Sequence, residues 1–233
     1  MLDDPKAQRD VVVHVVLVTL TRFIPLPLVD DHARQALLRR MTRGIATSHQ
    51  RELSDAQQHS LTDDPPSGCC SGCLFQIFTW PFRKILPKIT VVFEVKKLAD
   101  LASLTYVQAF LLDSVYQKEL WTDAESVRRA IDAVTLKVGT SPVEHAFRLS
   151  LEGVYKLLDS TRKTIFQRIR KLLPGEKDQE GKVTQLLEEA KDSRLTDALL
   201  QGAQSIPREY LEQLTSELVR ELTPEVPGSR QGA

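Results

Sequence analysis

The three cysteines of this chain fall within five residues, Cys69-Cys70-Ser71-Gly72-Cys73. Cys70 and Cys73 have the C-x-x-C spacing with which two thiolates grip one tetrahedral metal ion or close a redox pair. A structural zinc needs a full set of four ligands, and no second cysteine pair exists to supply it. Cys69 together with a histidine would complete the set, with His59 the first choice over His49 and His145. The competing reading is a loop of buried or inert thiols. No cofactor is expected, with zinc as the alternative.

Four aromatics and three cations follow directly: Phe75, Phe78, Trp80 and Phe82, then Arg83, Lys84 and Lys88. Rings suit headgroup depth at a membrane interface, and cations meet anionic lipid there. The run from Pro65 to Phe82 is uncharged, but it begins with loop formers, so its apolar part is too short to span a bilayer. The same aromatics would equally fill a core, as clustered rings in globular proteins mostly do. Segment 74–88 is therefore the candidate contact for an anionic membrane surface or a protein partner.

Other groups carry weaker signals. Arg34, Arg39, Arg40 and Arg43 lie close together, as do Arg162, Lys163, Arg168, Arg170 and Lys171. Either set could meet phosphate or anionic lipid, although cations near a helix C-terminus also complement its dipole. Asp30-Asp31-His32 and Glu144-His145 place acid beside imidazole, but neighbours on a helix point about 100° apart and form no dyad. His145 is expected to serve a helix start, and His14, within a valine run, to be a satisfied core histidine. The chain contains no G-x-S-x-G, P-loop, G-x-G-x-x-G, H-E-x-x-H or di-iron E-x-x-H pattern. Nothing in the sequence calls for catalysis.

The elements that would carry these groups are helical. Ser54-Asp55-Ala56-Gln57, Thr122-Asp123-Ala124-Glu125 and Ser141-Pro142-Val143-Glu144 each set a hydroxyl three residues before Glu or Gln, which predicts helices capped at Ser54, Thr122 and Ser141. Val127, Ala130, Ile131, Val134 and Val138 keep helical spacing up to a capping Gly139. From Phe147 a stripe runs on through Leu151, Val154, Leu158, Ile165, Ile169 and Leu172 to the breaker Pro174-Gly175. Segment 88–120 has apolar residues on more than one side and is expected to be a buried central helix. Val11–Val18 and Ile89–Val95 are β-branched enough for strands on propensity alone. Both are read as helix, the first because it is long and does not alternate, the second because it runs unbroken into a helical pattern. No solenoid-period repeat is visible.

An all-α multi-helix bundle with a long central helix pair follows. Its expected organisation is an N-terminal helical unit (1–62) packed on the main body, a Pro/Gly/Cys-rich loop (63–73), a main core (74–174), acidic C-terminal helices (175–223) and a disordered tail (224–233). Lys plus Arg and Asp plus Glu both total 31, so there is no global charge to attract nucleic acid, and none is expected as a partner. The balance is locally uneven: sixteen basic and ten acidic residues over 75–174, against seven and twelve over 175–233. The acidic start lacks a secretory n-region, and the odd cysteine count fits a reducing compartment, so a cytoplasmic location is expected, peripheral on the inner face of a membrane if 74–88 contacts lipid. The function expected is that of a non-enzymatic helical interaction protein acting through 74–88. The alternative is a metal-binding or redox module using Cys69, Cys70 and Cys73.

Overall fold

A computed structural model describes residues 5–21, 27–62, 87–153 and 179–223. Every regular element among them is a helix. In chain order these are α1 (Pro5–Thr21), α2 (Pro27–Ser48), α3 (Asp55–Thr62), α4 (Pro87–Gln117), α5 (Ala124–Val138), α6 (141–153), α7 (Gln179–Lys191), α8 (Arg194–Gln204) and α9 (Arg208–Leu222). The boundary at 62–68, the cysteine loop and the 224–233 tail lie outside the described residues, as does the stripe beyond 153.

The valine run of α1 is helical despite its β-branched side chains, and packing explains why. Val12, Val15, Val16, Leu17 and Val18 are all fully buried, and α1 touches α2, α4, α7 and α8. Surrounded on every side, it gains more from burial than the few tenths of a kcal/mol per residue, roughly, that β-branching costs in a helix. Its buried hydroxyls bond back to the helix itself, Thr19 to the Val15 carbonyl at 2.6 Å and Thr21 to Val18 at 2.8 Å. A helix interior can therefore be dry without leaving orphan polar groups.

The second central element, α4, uses the same device, with Ser103, Thr105 and Ser114 donating to the carbonyls of Asp100, Leu101 and Phe110. Around this pair, α2 covers both helices, α5 packs on α3, α4 and α9, and α9 also touches α4. Tyr106 of α4 meets Phe147 of α6 edge-to-face at 5.5 Å. Helix α8 comes so close to α6 that a Cβ on Gly202 would lie 3.0 Å from the Phe147 ring and 3.2 Å from the Ala146 carbonyl oxygen.

Capping follows the sequence with small shifts of register. Ser54 and Gln57 exchange backbone and side-chain bonds at 2.9 and 3.3 Å, the reciprocal box expected of them. The next start moves from Thr122 to Asp123, whose carboxylate accepts the Ser126 amide at 2.9 Å. A carboxylate reaches the same amide and adds favourable charge at the helix start, so it displaces the hydroxyl. The start assigned to Ser141 also moves, because the Glu144 amide donates to the Thr140 carbonyl at 2.9 Å. Gly139 caps α5 with φ 77°, as its spacing predicts.

Two other helix ends take left-handed residues that are not glycine. After α2, Gln50 (φ 58°) donates to Thr47 while Arg51 donates to Ala46; after α4, Glu119 (φ 55°) donates to Tyr116 while Leu120 donates to Val115. Both are Schellman closures, built without the glycine or asparagine that usually sits there. The chain contains no asparagine at all.

Candidate functional site

Most of the sequence-derived site residues lie outside the described residues: Cys69, Cys70, Cys73, Phe75, Phe78, Trp80, Phe82, Arg83 and Lys84. Lys88 is on the first turn of α4. His59, near the end of α3, has Nδ1 3.0 Å from Nη2 of Arg39. A guanidinium only donates, so this nitrogen acts as an acceptor, and only Nε2 of His59 is left to hold a metal. No group of three or more metal-ligating side chains occurs among the described residues. None of their helices is long and apolar enough to cross a membrane. His145 does not serve its helix start; its Nδ1 lies 3.3 Å from Nη2 of Arg148 on the exposed side of α6.

Two features that sequence reasoning missed come together on α4. His49, just past the end of α2, places Nε2 2.7 Å from Oδ1 of Asp113, whose side chain is only 5% exposed. The imidazole stacks on Tyr116 at 5.6 Å, and Tyr116 stacks on Trp121 at 5.1 Å. A carboxylate-oriented imidazole is half of a hydrolytic triad, but such a triad needs a nucleophile aligned on the ring. The adjacent hydroxyl, Ser114, instead donates to the Phe110 carbonyl at 2.9 Å. The pair therefore works as a tie between the end of α2 and the middle of α4. One signal was available in the sequence: Asp113 is a lone carboxylate in the apolar run Phe110–Val115, and burial there demands a partner.

Asp113 also borders a cleft of about 870 Å³ between α4 and α9. From α4 come Tyr106, Phe110, Ser114 and Gln117; from α9 come Arg208, Leu211, Thr215 and Val219. Helix α9 turns Tyr210, Leu214 and Leu218 into the core, which leaves Leu211, Thr215 and Val219 as a second, half-buried stripe at i, i+4 and i+8. Burial pushes the Tyr106 hydroxyl above the ordinary phenol range, and the nearby Asp113 charge acts the same way; a side-chain hydrogen bond with Gln8 opposes them.

What this cleft can do follows from where its polar groups are already spent. Ser114, Thr215 and Ser216 donate to the Phe110, Leu211 and Glu212 carbonyls of their own helices at 2.8–2.9 Å. Arg208 is bonded to Glu212 at 3.1 Å on the solvent side. Catalytic pockets converge unsatisfied donors and acceptors on one reacting atom. Here the hydroxyls turn away, and what faces the cleft is apolar side chain at helical spacing. Comparison with known protein families, with characterised proteins and with solved structures finds no match to this chain.

Proposed function

We propose that this chain is a non-enzymatic helical interaction protein that receives an amphipathic helix of a partner in the cleft between α4 and α9. The observation that carries the reading is the half-buried stripe Leu211–Thr215–Val219 opposite Phe110, with its hydroxyls already bonded within their own helices. Such a stripe spans about 12 Å at 1.5 Å per residue, two turns, and presents i, i+4 anchor points to a helix laid along it. The test is selection from a displayed library of amphipathic helical peptides. Selected peptides are expected to bind the native protein and to lose at least tenfold in affinity for the variant Leu211→Glu, Val219→Glu. They should keep their affinity for Leu136→Glu, which alters an exposed leucine on α5. Failure to select any peptide, or equal binding to all three proteins, would overturn the reading.

Segment 74–88 is proposed as a second contact, with an anionic membrane surface. One observation favours it: the basic character of Arg83, Lys84 and Lys88 continues along α4 into the exposed Lys96 and Lys97. Clustered cations near a bilayer contribute about 1 kcal/mol each to binding anionic lipid. Sedimentation with phosphatidylserine vesicles should carry the protein down, and Trp80→Ala, Phe82→Ala, Arg83→Glu, Lys84→Glu should leave it in the supernatant. Equal sedimentation of the two would remove this contact.

A further inference from the structure

A second cavity lies between α2, α3, α4 and α5, on a different side of α4 from the cleft. It holds about 40 Å³, room for roughly three water molecules at about 10–15 Å³ apiece, and so for only a few heavy atoms. Most of its wall is apolar, including Leu38, Met41, Leu61, Leu112 and Ile131, all buried. Into this wall come two guanidinium groups from facing helices, Arg34 of α2 and Arg128 of α5, with the Gln108 amide between them in sequence on α4. The Arg128 head is held in place: it donates to the Leu61 carbonyl at 2.7 Å and to Asp132 at 2.8 Å, with its side chain only 16% exposed.

The other polar groups of the wall are committed elsewhere. Thr42 donates to the Arg39 carbonyl at 3.0 Å and Thr62 to the Gln58 carbonyl at 2.8 Å. Recognition of a ligand therefore falls to Arg34, Arg128 and Gln108, all donors of the kind that grip a planar oxyanion. An inorganic phosphate would place oxygens against leucine and methionine on every remaining side, which costs free energy without a bond in return. A carboxylate with a short hydrocarbon tail matches both halves of the wall.

We propose that this cavity is a binding site for a small aliphatic monocarboxylate of about two to four carbons, its carboxylate held by Arg34, Arg128 and Gln108 and its alkyl end against Met41 and Leu112. The site is independent of the α4–α9 cleft and stands or falls apart from it. Met41 lines the cavity and the chain has one other methionine, Met1, so a ¹³C-methyl methionine label gives a two-line spectrum in which Met41 reports on the site. Titration of the full chain with propionate, at ionic strength fixed with chloride, is expected to shift the Met41 methyl resonance saturably, with a matching rise in Tm. Hexanoate should shift it less, because its chain exceeds the space. Arg34→Gln should weaken propionate binding at least tenfold; Gln108→Leu, which keeps the apolar packing, is the second variant should the first not fold. No Met41 shift with propionate, an equal shift with phosphate, or undiminished binding to both variants would each overturn the proposal.

Discussion

His14 lies one turn after Asp10 on α1, with Nδ1 2.7 Å from the Asp10 carbonyl oxygen. A carbonyl only accepts, so Nδ1 carries the proton and Nε2 is left as a buried acceptor without a partner among the described residues. Burial lowers the pKa of this imidazole from its ordinary 6.5, helped by Arg40 and Lys191 and opposed by the Asp10 carbonyl and carboxylate. The unfolded chain therefore binds a proton below pH 6.5 that the folded chain refuses, and stability falls as pH drops from 6.5 toward the lowered folded value. Urea unfolding at pH 7 and pH 5.5 should show a loss for the native chain that is smaller in His14→Leu; equal losses would refute it. At the other buried imidazole the effect is one of pairing. His49→Ala takes a partner from a carboxylate that is 5% exposed, which should cost about 2–3 kcal/mol by chemical denaturation. Asp113→Asn, which keeps an acceptor for His49, should cost less. The sequence made His14 legible as a core residue, but not its orphaned nitrogen, which depends on tautomer. It could not reveal the His49–Asp113 pair, because 64 residues separate partners that only the folded α2–α4 contact unites.

Two glycines separate intrinsic helix preference from packing. Gly44 is exposed within α2, and a methyl placed on its Cα would meet nothing within 4 Å, so Gly44→Ala should stabilise by about 0.5–1 kcal/mol. Gly202 is buried on α8, where a methyl would lie 3.2 Å from the Ala146 carbonyl of α6. Gly202→Ala should therefore lower Tm despite the same gain in propensity. Opposite signs of ΔTm in the two variants check the argument. At this scale the sequence was at its most readable. The Ser54 box and Gly139 fall where spacing places them, and the two shifted starts at Asp123 and Thr140 differ by one residue from expectation. Local chemistry decides caps, so local sequence reports them. The second stripe of α9 was harder to see, because Leu211 and Val219 belong to the same helical rhythm as the core residues Leu214 and Leu218. Only the packed arrangement tells which leucines face the interior.

For the molecule as a whole, the N-terminal helix is an internal strut. It contributes Val11 to Val13 and Val15 to Leu20 to the buried set and contacts helices drawn from both ends of the chain. A chain lacking residues 5–21 should lose cooperative unfolding and most of its tertiary contacts, seen as a collapsed near-ultraviolet circular dichroism signal; a truncated chain that still melted cooperatively would show that α4 alone organises the fold. Hydropathy patterning made the all-α class clear and identified α4 as central. It left α1 ambiguous, since a helix covered on all sides has no polar face to set its period. The partners of α1 also fix the order of events during synthesis. Residues 11–20 leave the ribosome long before 179–204, the stretch that forms α7 and α8. At about 5–20 residues per second the delay is on the order of ten to thirty seconds, during which a valine-rich segment of high β-propensity has only part of its cover. Newly made chains should accordingly depend on a holding chaperone that recognises this first segment, and slowing translation should increase their loss to aggregates.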